Sequence, residues 1–276
     1  MSASFSEIIE SHIEANRTEL PVFDGTSLRV QQLANAESID VPALEAVIEQ
    51  DPVLASAALR MANSPFYGGL SQVDSVRDAV VRLGAKRMAG IAVVVALKSN
   101  YRMKDRLLQE IVAKLWNHAV ACSLGARWLA GRIKRRDLAD SAFMAGMLHD
   151  IGKLLVLRVI DELTASRPDF DPPEGLVREM LVKLHTRCGG DLLEKWSLPA
   201  LYARVAQHHH DPDFADDDEL LLVVRLVDQA CNKLGIGIEP QPDLNLAASA
   251  EAQVLGVSEV IAAELEIQLE DAQSYA

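Results

Sequence analysis

An adjacent histidine and aspartate interrupt an apolar stretch in Met147-Leu148-His149-Asp150-Ile151-Gly152-Lys153-Leu154. Imidazole and carboxylate are side chains that hold hard or borderline divalent cations. A polar pair in so apolar a setting costs free energy unless something satisfies it. Further donors follow the same pattern: His118 in Trp116-Asn117-His118, then His185, the run His208-His209-His210, and Asp228. Each sits on or at the end of a predicted helix, and helical bundles build metal sites from inward-facing side chains of several helices. A carboxylate such as Asp150 can bridge two cations while imidazoles cap each one. A water held between two such ions becomes a nucleophile able to attack phosphorus in line. Lys153, one turn past the pair, is placed either to contact a phosphate oxygen or to face solvent.

Taken singly, each residue has an ordinary structural reading. His118 fits a hydrogen-bonded histidine in the core, and Asp228 a boundary carboxylate. The three-histidine run fits a solvated helix end leading into the acidic stretch from Asp211 to Glu219. The combination points to metal far more strongly than its parts.

The elements that must position these groups read as helices throughout. The chain has 276 residues, long enough for one large domain or two modest ones, with 49% hydrophobic but only 5% aromatic residues. That mix favours helix packed on helix over a β-sandwich, so the expected fold class is all-α. Asp51-Pro52 supplies a capping aspartate and a first-turn proline for a helix running to Met61. Asn63-Ser64-Pro65 stops it, and Tyr67-Gly68-Gly69 reads as a flexible turn. The Asn63–Gly68 segment also suits a binding loop, though its role as stop and connector needs no ligand. Val76, Ala79, Val80 and Leu83 repeat at helical spacing before Gly84. A mostly apolar helix follows over about Lys86–Leu97. Tyr101–Asp105 reads as a polar hinge between lobes, and a long helix runs from about Leu107 to Arg132. Helices over Asp137–Leu148 and Leu154–Ile160 flank the His-Asp pair, and Pro168–Gly175 is a loop. Later helices are expected over Leu176–Leu184, Cys188–Trp196, Ala200–Gln207, Glu219–Leu234 and Ser258–Leu269, with a loop over Gly235–Asp243.

A net charge of −13 disfavours a broad basic face for nucleic acid or an anionic membrane. The basic cluster Arg132-Ile133-Lys134-Arg135-Arg136 reads as a complement to the end of the long helix near Gly131. Asp216-Asp217-Asp218-Glu219 reads as a solvated first helical turn. Cys122, Cys188 and Cys231 share no short spacing and read as reduced, buried small hydrophobes. The chain opens on no secretory signal pattern. Its most apolar run, Met88–Leu97, falls well short of the ~20 residues that span a bilayer, so a soluble, cytoplasmic protein is expected.

Ordered motifs carry a resemblance. Leu20-Pro21, Asp51-Pro52-Val53-Leu54, Arg60-Met61-Ala62-Asn63-Ser64 and Ala79-Val80-Val81-Arg82-Leu83-Gly84 mark the first half. Leu148-His149-Asp150-Ile151-Gly152-Lys153, His185-Thr186-Arg187-Cys188-Gly189, Trp196-Ser197-Leu198-Pro199 and His209-His210-Asp211-Pro212 mark the second. Over roughly residues 15–235 the chain resembles the HDOD family, within the HD superfamily of metal-dependent phosphohydrolases. The segment around Val254-Leu255-Gly256-Val257 also fits. The resemblance implies an N-terminal helical lobe over 1–105 and an HD-like lobe over 106–276. It implies a regulatory or output module of bacterial signal transduction. Many members have lost the metal ligands and have no established catalysis, whereas here every ligand position is filled.

Carried over by position, the implied metal set is His118, His149, Asp150, His185, His209, His210 and Asp228. A register with His208 and His209 instead remains open. No Gly-Tyr-Pro follows the histidines, so the chain does not resemble the HD-GYP cyclic dinucleotide phosphodiesterases. The expectation is a signalling module holding one or two divalent ions, with Fe, Mn, Zn and Mg not distinguished. It would meet a protein partner and take a small phosphate-containing ligand, with no nucleic acid and no membrane. The rival is a phosphohydrolase acting on a nucleotide or phosphodiester, with Asp150 and Lys153 catalytic. A metal-free scaffold is the third reading.

Overall fold

The computed structural model describes residues 4–15, 25–34, 36, 38–64, 67, 72–98, 100–167, 169–213 and 217–272. Among them every regular element is helical: α1 (Phe5–Glu14), α2 (Gly25–Ala34), α3 (Val41–Glu49), α4 (Pro52–Ala62), α5 (Val76–Leu83), α6 (Ala85–Lys98) and α7 (Arg106–Arg132). These are followed by α8 (Ala139–Leu148), α9 (Ile151–Ser166), α10 (Glu174–Lys195), α11 (Ala200–His208), α12 (Glu219–Lys233), a 3-10 turn (Leu246–Ala248), α13 (Ala250–Val254) and α14 (Glu259–Ala272). The all-α fold expected from composition is the fold observed. None of the described helices is long and apolar enough to cross a membrane.

The chain divides into two compact units, residues 21–100 and residues 1–20 with 101–276. In the first, the capping chemistry read from the sequence is in place. The Asp51 carboxylate accepts from the Val53 and Leu54 amides at 2.9 and 3.1 Å, and Pro52 opens α4. Ser75 caps α5 through the Asp78 amide, and Gly84 closes it at φ 83. Val76, Ala79, Val80 and Leu83 form the buried face of α5. They join Val30, Leu44, Ile48, Leu54, Met88 and Ile91 in one apolar core. The Asn63 side chain clamps the far side of its loop, donating to the Val73 carbonyl at 2.7 Å and accepting the Val73 amide at 2.8 Å. This supports the stop-and-connector role. Residues 65, 66 and 68–71, like Leu20 and Pro21, lie outside the described residues.

In the second unit α7 is the spine, with α8, α12 and α14 packed along it, while α9 and α11 pack on α10. Helix α1 belongs here and not with its sequence neighbours, so the units do not follow a single cut at 105. It starts with a capping box between Ser4 and Glu7, sets the Phe5 ring edge-on to Phe170, and pairs Glu10 with Lys183 at 2.7 Å.

Two sequence expectations need correction. The segment from Tyr101 to Asp105 does begin where the two units divide, but it is not a solvated polar stretch: Tyr101 and Met103 are buried. The Asp161 carboxylate accepts from the Lys104 and Asp105 amides at 2.9 and 3.0 Å, tying the segment to α9. The helices expected over 176–184 and 188–196 are one, α10. Its glycines mark close packing: a Cβ on Gly190 would lie 2.2 Å from the Gln207 side chain of α11.

Candidate metal centre

Helix packing brings the predicted donors to one point inside the second unit. His118 comes from α7, and His149 and Asp150 from the α8–α9 junction. His185 comes from α10, His209 and His210 from the end of α11, and Asp228 from α12. Two glycines set the approach distances. A Cβ on Gly146 would lie 2.6 Å from the Cys122 carbonyl oxygen, and one on Gly152 would lie 1.9 Å from that of His185. Only glycine lets α8 meet α7, and α9 meet α10, this closely.

Asp150 is the hub. Its Oδ2 lies 3.5 Å from His118 Nε2 and 3.6 Å from His149 Nε2. Its Oδ1 lies 3.4 Å from His209 Nε2 and 3.6 Å from His185 Nε2. The donors thus form two groups, one of His118, Cys122, His149 and Asp228, the other of Asp150, His185, His209 and His210. Within each group the ligand atoms all lie within 4.8 Å of one another. His149 is 0% exposed and Asp150 6%, so no bulk water satisfies them.

The hydrogen bonds fix the imidazole tautomers. His118 Nδ1 contacts the Ile236 carbonyl oxygen at 2.9 Å, and His149 Nδ1 that of Gly146 at 2.8 Å. His185 Nδ1 contacts the Leu181 carbonyl oxygen at 2.8 Å, and His209 Nδ1 that of Ala206 at 3.0 Å. A carbonyl oxygen only accepts, so each Nδ1 carries a proton and each Nε2 is the atom turned inward, with a free lone pair wherever the ring is neutral. This is the carbonyl-supported orientation found behind metal-ligating histidines.

The result is a concentration of acceptors without donors. Asp150 Oδ1, His185 Nε2 and His209 Nε2 are buried with no hydrogen-bond partner. His118 Nε2 and His149 Nε2 stand 3.2 Å apart, and two lone pairs at that distance repel unless a proton or a cation lies between them. Ligand atoms at ~2.0–2.2 Å from one ion are separated by about 3.0–3.6 Å, the spacing of the Asp150 contacts with the four imidazoles and of His118 with His149 and Asp228. The residues present therefore fit divalent metal.

Electrostatics point the same way. Burial pushes His149 down to about 3 and His185 down to about 4, keeping both neutral and ligand-competent at neutral pH. Burial opposes charge on His118 too, but Cys122 and Asp228 outweigh it and raise that ring above the ordinary range. A proton there takes the place a cation would fill. Burial would also raise the Asp150 carboxyl, yet Lys153 and the surrounding imidazoles hold it well below the usual range.

Lys153 does not face solvent. It is buried, with Nζ 2.8 Å from Asp150 Oδ2. Of the histidine run, His209 and His210 stand with Asp150 and His185, while exposed His208 turns away to Asp211 Oδ2 at 2.7 Å. The geometry thus favours the His209–His210 register.

A model of the HDOD domain matches residues 20–212, more than half of the chain. The chain belongs to the HDOD family. It is 22% identical over 205 residues to an uncharacterized protein of Treponema pallidum (strain Nichols), covering 72% of this chain but spanning only 39% of that protein. Its structure resembles an HDOD domain protein of unknown function from Geobacter sulfurreducens, with TM-score 0.74 and 21% identity over 98% of this chain and 96% of the other. It also resembles a Shewanella amazonensis SB2B protein provisionally described as a metal-dependent phosphohydrolase, with TM-score 0.76 and 18% identity over 96% of both chains. A third likeness is to a Marinobacter aquaeolei VT8 protein provisionally described as a signal transduction protein. There the TM-score is 0.66 and the identity 22%, over 100% of this chain and 61% of that one. At these identities the structural likeness shows the fold.

Some residues that build this HDOD centre carried no ligand signal in the sequence. Arg225 of α12 is buried and donates to Glu251 at 2.8 Å, to the His209 carbonyl at 3.0 Å and to the Asp211 carbonyl at 2.7 Å. It holds the exposed end of α11, and so positions His209 and His210. The basic cluster after α7 is likewise engaged by carboxylates. Arg132 pairs with Glu264 at 2.7 Å, and Arg135 with Asp137 and Glu219. These pairings engage Arg132 and Arg135 of the cluster, and Arg132 also stands in the last turn of α7. Asp218 caps α12 through the Leu221 amide and pairs with Arg204 at 3.0 Å, so it is less solvated than expected.

A cleft of about 460 Å³ lies behind His118, lined by Lys114, Asn117, Arg178 and residues 235–238 with Pro240. Ile236 contacts His118 through its carbonyl, and a Cβ on Gly237 would lie 3.1 Å from His118 Nδ1.

Proposed function

We propose that this chain works in the bacterial cytoplasm as an HDOD regulatory module whose second unit holds one or two divalent cations. The observation that carries this reading is the set of orphaned acceptors around Asp150, whose two oxygens face separate groups of imidazoles. The proposed ligands are His118, His149, Asp150, His185, His209, His210 and Asp228. Bound metal would cross-link helices far apart in sequence, and the helical surface they form would meet a protein partner. The signalling role is supported by family membership and by the provisional description of the Marinobacter relative. A small phosphate-containing ligand suits the cleft with Lys114 and Arg178, and would act on the centre through Ile236 and His118.

The test is metal content of protein purified without chelator. Bound manganese, iron or zinc in wild type, lost in Asp150→Ala, is the expected result. Near-zero occupancy that stays unchanged after adding each metal would overturn the reading.

A second reading, metal-dependent phosphohydrolase, has one specific support: the two oxygens of Asp150 face different sets of imidazoles, as a two-metal phosphoryl site requires. Bound metal would supply Lewis acidity toward a phosphoryl oxygen. The chain's own part would be Asp150 as shared ligand, oriented by Lys153 at 2.8 Å. Hydrolysis of a nucleotide or cyclic dinucleotide, abolished in Asp150→Ala, would support it. Activity that survives in that variant would count against it.

A further inference from the structure

Cys122 lies one helical turn beyond His118 on α7, so the two side chains share a face. Its Sγ is 3.5 Å from His118 Nε2. It belongs to the donor group with His118, His149 and Asp228, all four ligand atoms within 4.8 Å of one another. A small hydrophobe filling core space needs no such neighbours.

The distances can be compared with a tetrahedral shell. With metal–nitrogen and metal–oxygen bonds of ~2.0–2.1 Å and a metal–sulfur bond of ~2.3 Å, tetrahedral edges come to about 3.3–3.4 Å between N or O atoms. Those from sulfur to nitrogen come to about 3.6 Å. The observed edges from His118 Nε2 are 3.2 Å to His149 Nε2, 3.2 Å to Asp228 Oδ1 and 3.5 Å to Cys122 Sγ. His149 Nε2 to Asp228 Oδ1 is longer, at 3.9 Å. Three of the six edges, all meeting at His118 Nε2, therefore already have the size of a four-coordinate N2OS shell, the edge to sulfur being the longest of the three.

We infer that Cys122 is a thiolate ligand of the metal bound by His118, His149 and Asp228, making that half of the centre a sulfur-containing site. The inference rests on the metal-binding reading above and deepens it by naming a ligand and a metal class. The sulfur–metal bond forms as the thiol gives its proton to solvent. Cys231, whose Sγ is 3.6 Å away, then offers its S–H to the thiolate. A soft sulfur donor selects Zn²⁺, Fe²⁺ or Co²⁺ over Mg²⁺. Asp150 Oδ2, 3.5 Å from His118 Nε2 and 3.6 Å from His149 Nε2, can join the same ion as a shared fifth ligand, so protein donors fill this position. Any ligand-accepting position would then belong to the Asp150, His185, His209, His210 group.

Cobalt(II) loading of the full chain tests this. Wild type should show a near-ultraviolet thiolate-to-cobalt charge-transfer band. Cys122→Ser should lose it and bind zinc at least ~10-fold more weakly. Cys188→Ser and Cys231→Ser should keep it. X-ray absorption of the zinc-loaded wild type should show one sulfur at ~2.3 Å, a measurement independent of whether any variant folds. Cobalt bound without the band, or a band that persists in Cys122→Ser, would overturn the Cys122 assignment while leaving the metal site standing. No cobalt or zinc bound at all would overturn both.

Discussion

Asp150 is held by opposite means on its two sides. Lys153 neutralises Oδ2 at 2.8 Å, while Oδ1 has no donor at all. Removing the carboxylate alone strands a buried ammonium, which costs about 3–5 kcal/mol. Asp150→Ala should therefore lower stability by that order, and Asp150→Ala with Lys153→Met should recover much of it without recovering metal. Urea titrations and metal analysis of the pair separate the two roles; a double variant as unstable as the single would show that Lys153 is not the stranded group. The histidines give a pH dependence with a definite sign. His149 at about 3 and His185 at about 4 bind fewer protons folded than unfolded. Their neutral burial is fully tolerated above the ordinary ~6.5 and becomes a penalty as pH falls from there toward 4. His118, raised above that value, is charged in both states across this window. Metal-free protein should thus lose stability between pH 6.5 and 4, by about 3 kcal/mol for His185 alone. A urea midpoint that stays flat over that range would contradict this.

At the scale of elements, α9 lies against α10 at a distance only Gly152 permits. Gly152→Ala puts a Cβ 1.9 Å from the His185 carbonyl and 2.6 Å from the Gly189 amide nitrogen, so the backbones must part. That overpacking should cost about 1–3 kcal/mol and separate Asp150 from His185, weakening metal binding where an unhindered glycine substitution leaves it unchanged. Thermal melts and zinc titration of Gly152→Ala against Gly175→Ala check this, because a Cβ at Gly175 meets nothing within 4 Å. The sequence made α4 and α5 legible because their stops and apolar spacing are local, as with Asp51-Pro52 and Val76 to Gly84. It misplaced a break inside α10, since a glycine required by a neighbouring helix looks the same as one that ends a helix. The histidines and aspartates that packing gathers around Asp150 were legible through their order along the chain. Cys122 was not: its meaning depends on His149 and Asp228, which are brought beside it only by packing. Arg225 was hidden for the same reason, with Glu251 lying 26 residues away.

For the whole molecule, the donors come from α7, the α8–α9 junction, α10, α11 and α12, all within the unit of residues 1–20 and 101–276. The unit of residues 21–100 has an apolar core of its own and contributes no member to either donor group. A metal that binds only the folded state stabilises it by about 2.7 kcal/mol at a free concentration 100-fold above its dissociation constant. That stabilisation acts on whatever segment must open to release the ligands. Hydrogen exchange on metal-loaded and chelator-treated protein should accordingly show protection gained in α7 through α12. Little should be gained in α3 through α6, where no ligand lies and opening can proceed locally. Equal gains in both units would mean that they open together, and the metal would then act on the full chain. Protection confined to α7 through α12 would make the centre a local staple, and would direct the search for the proposed partner to the surface of those helices.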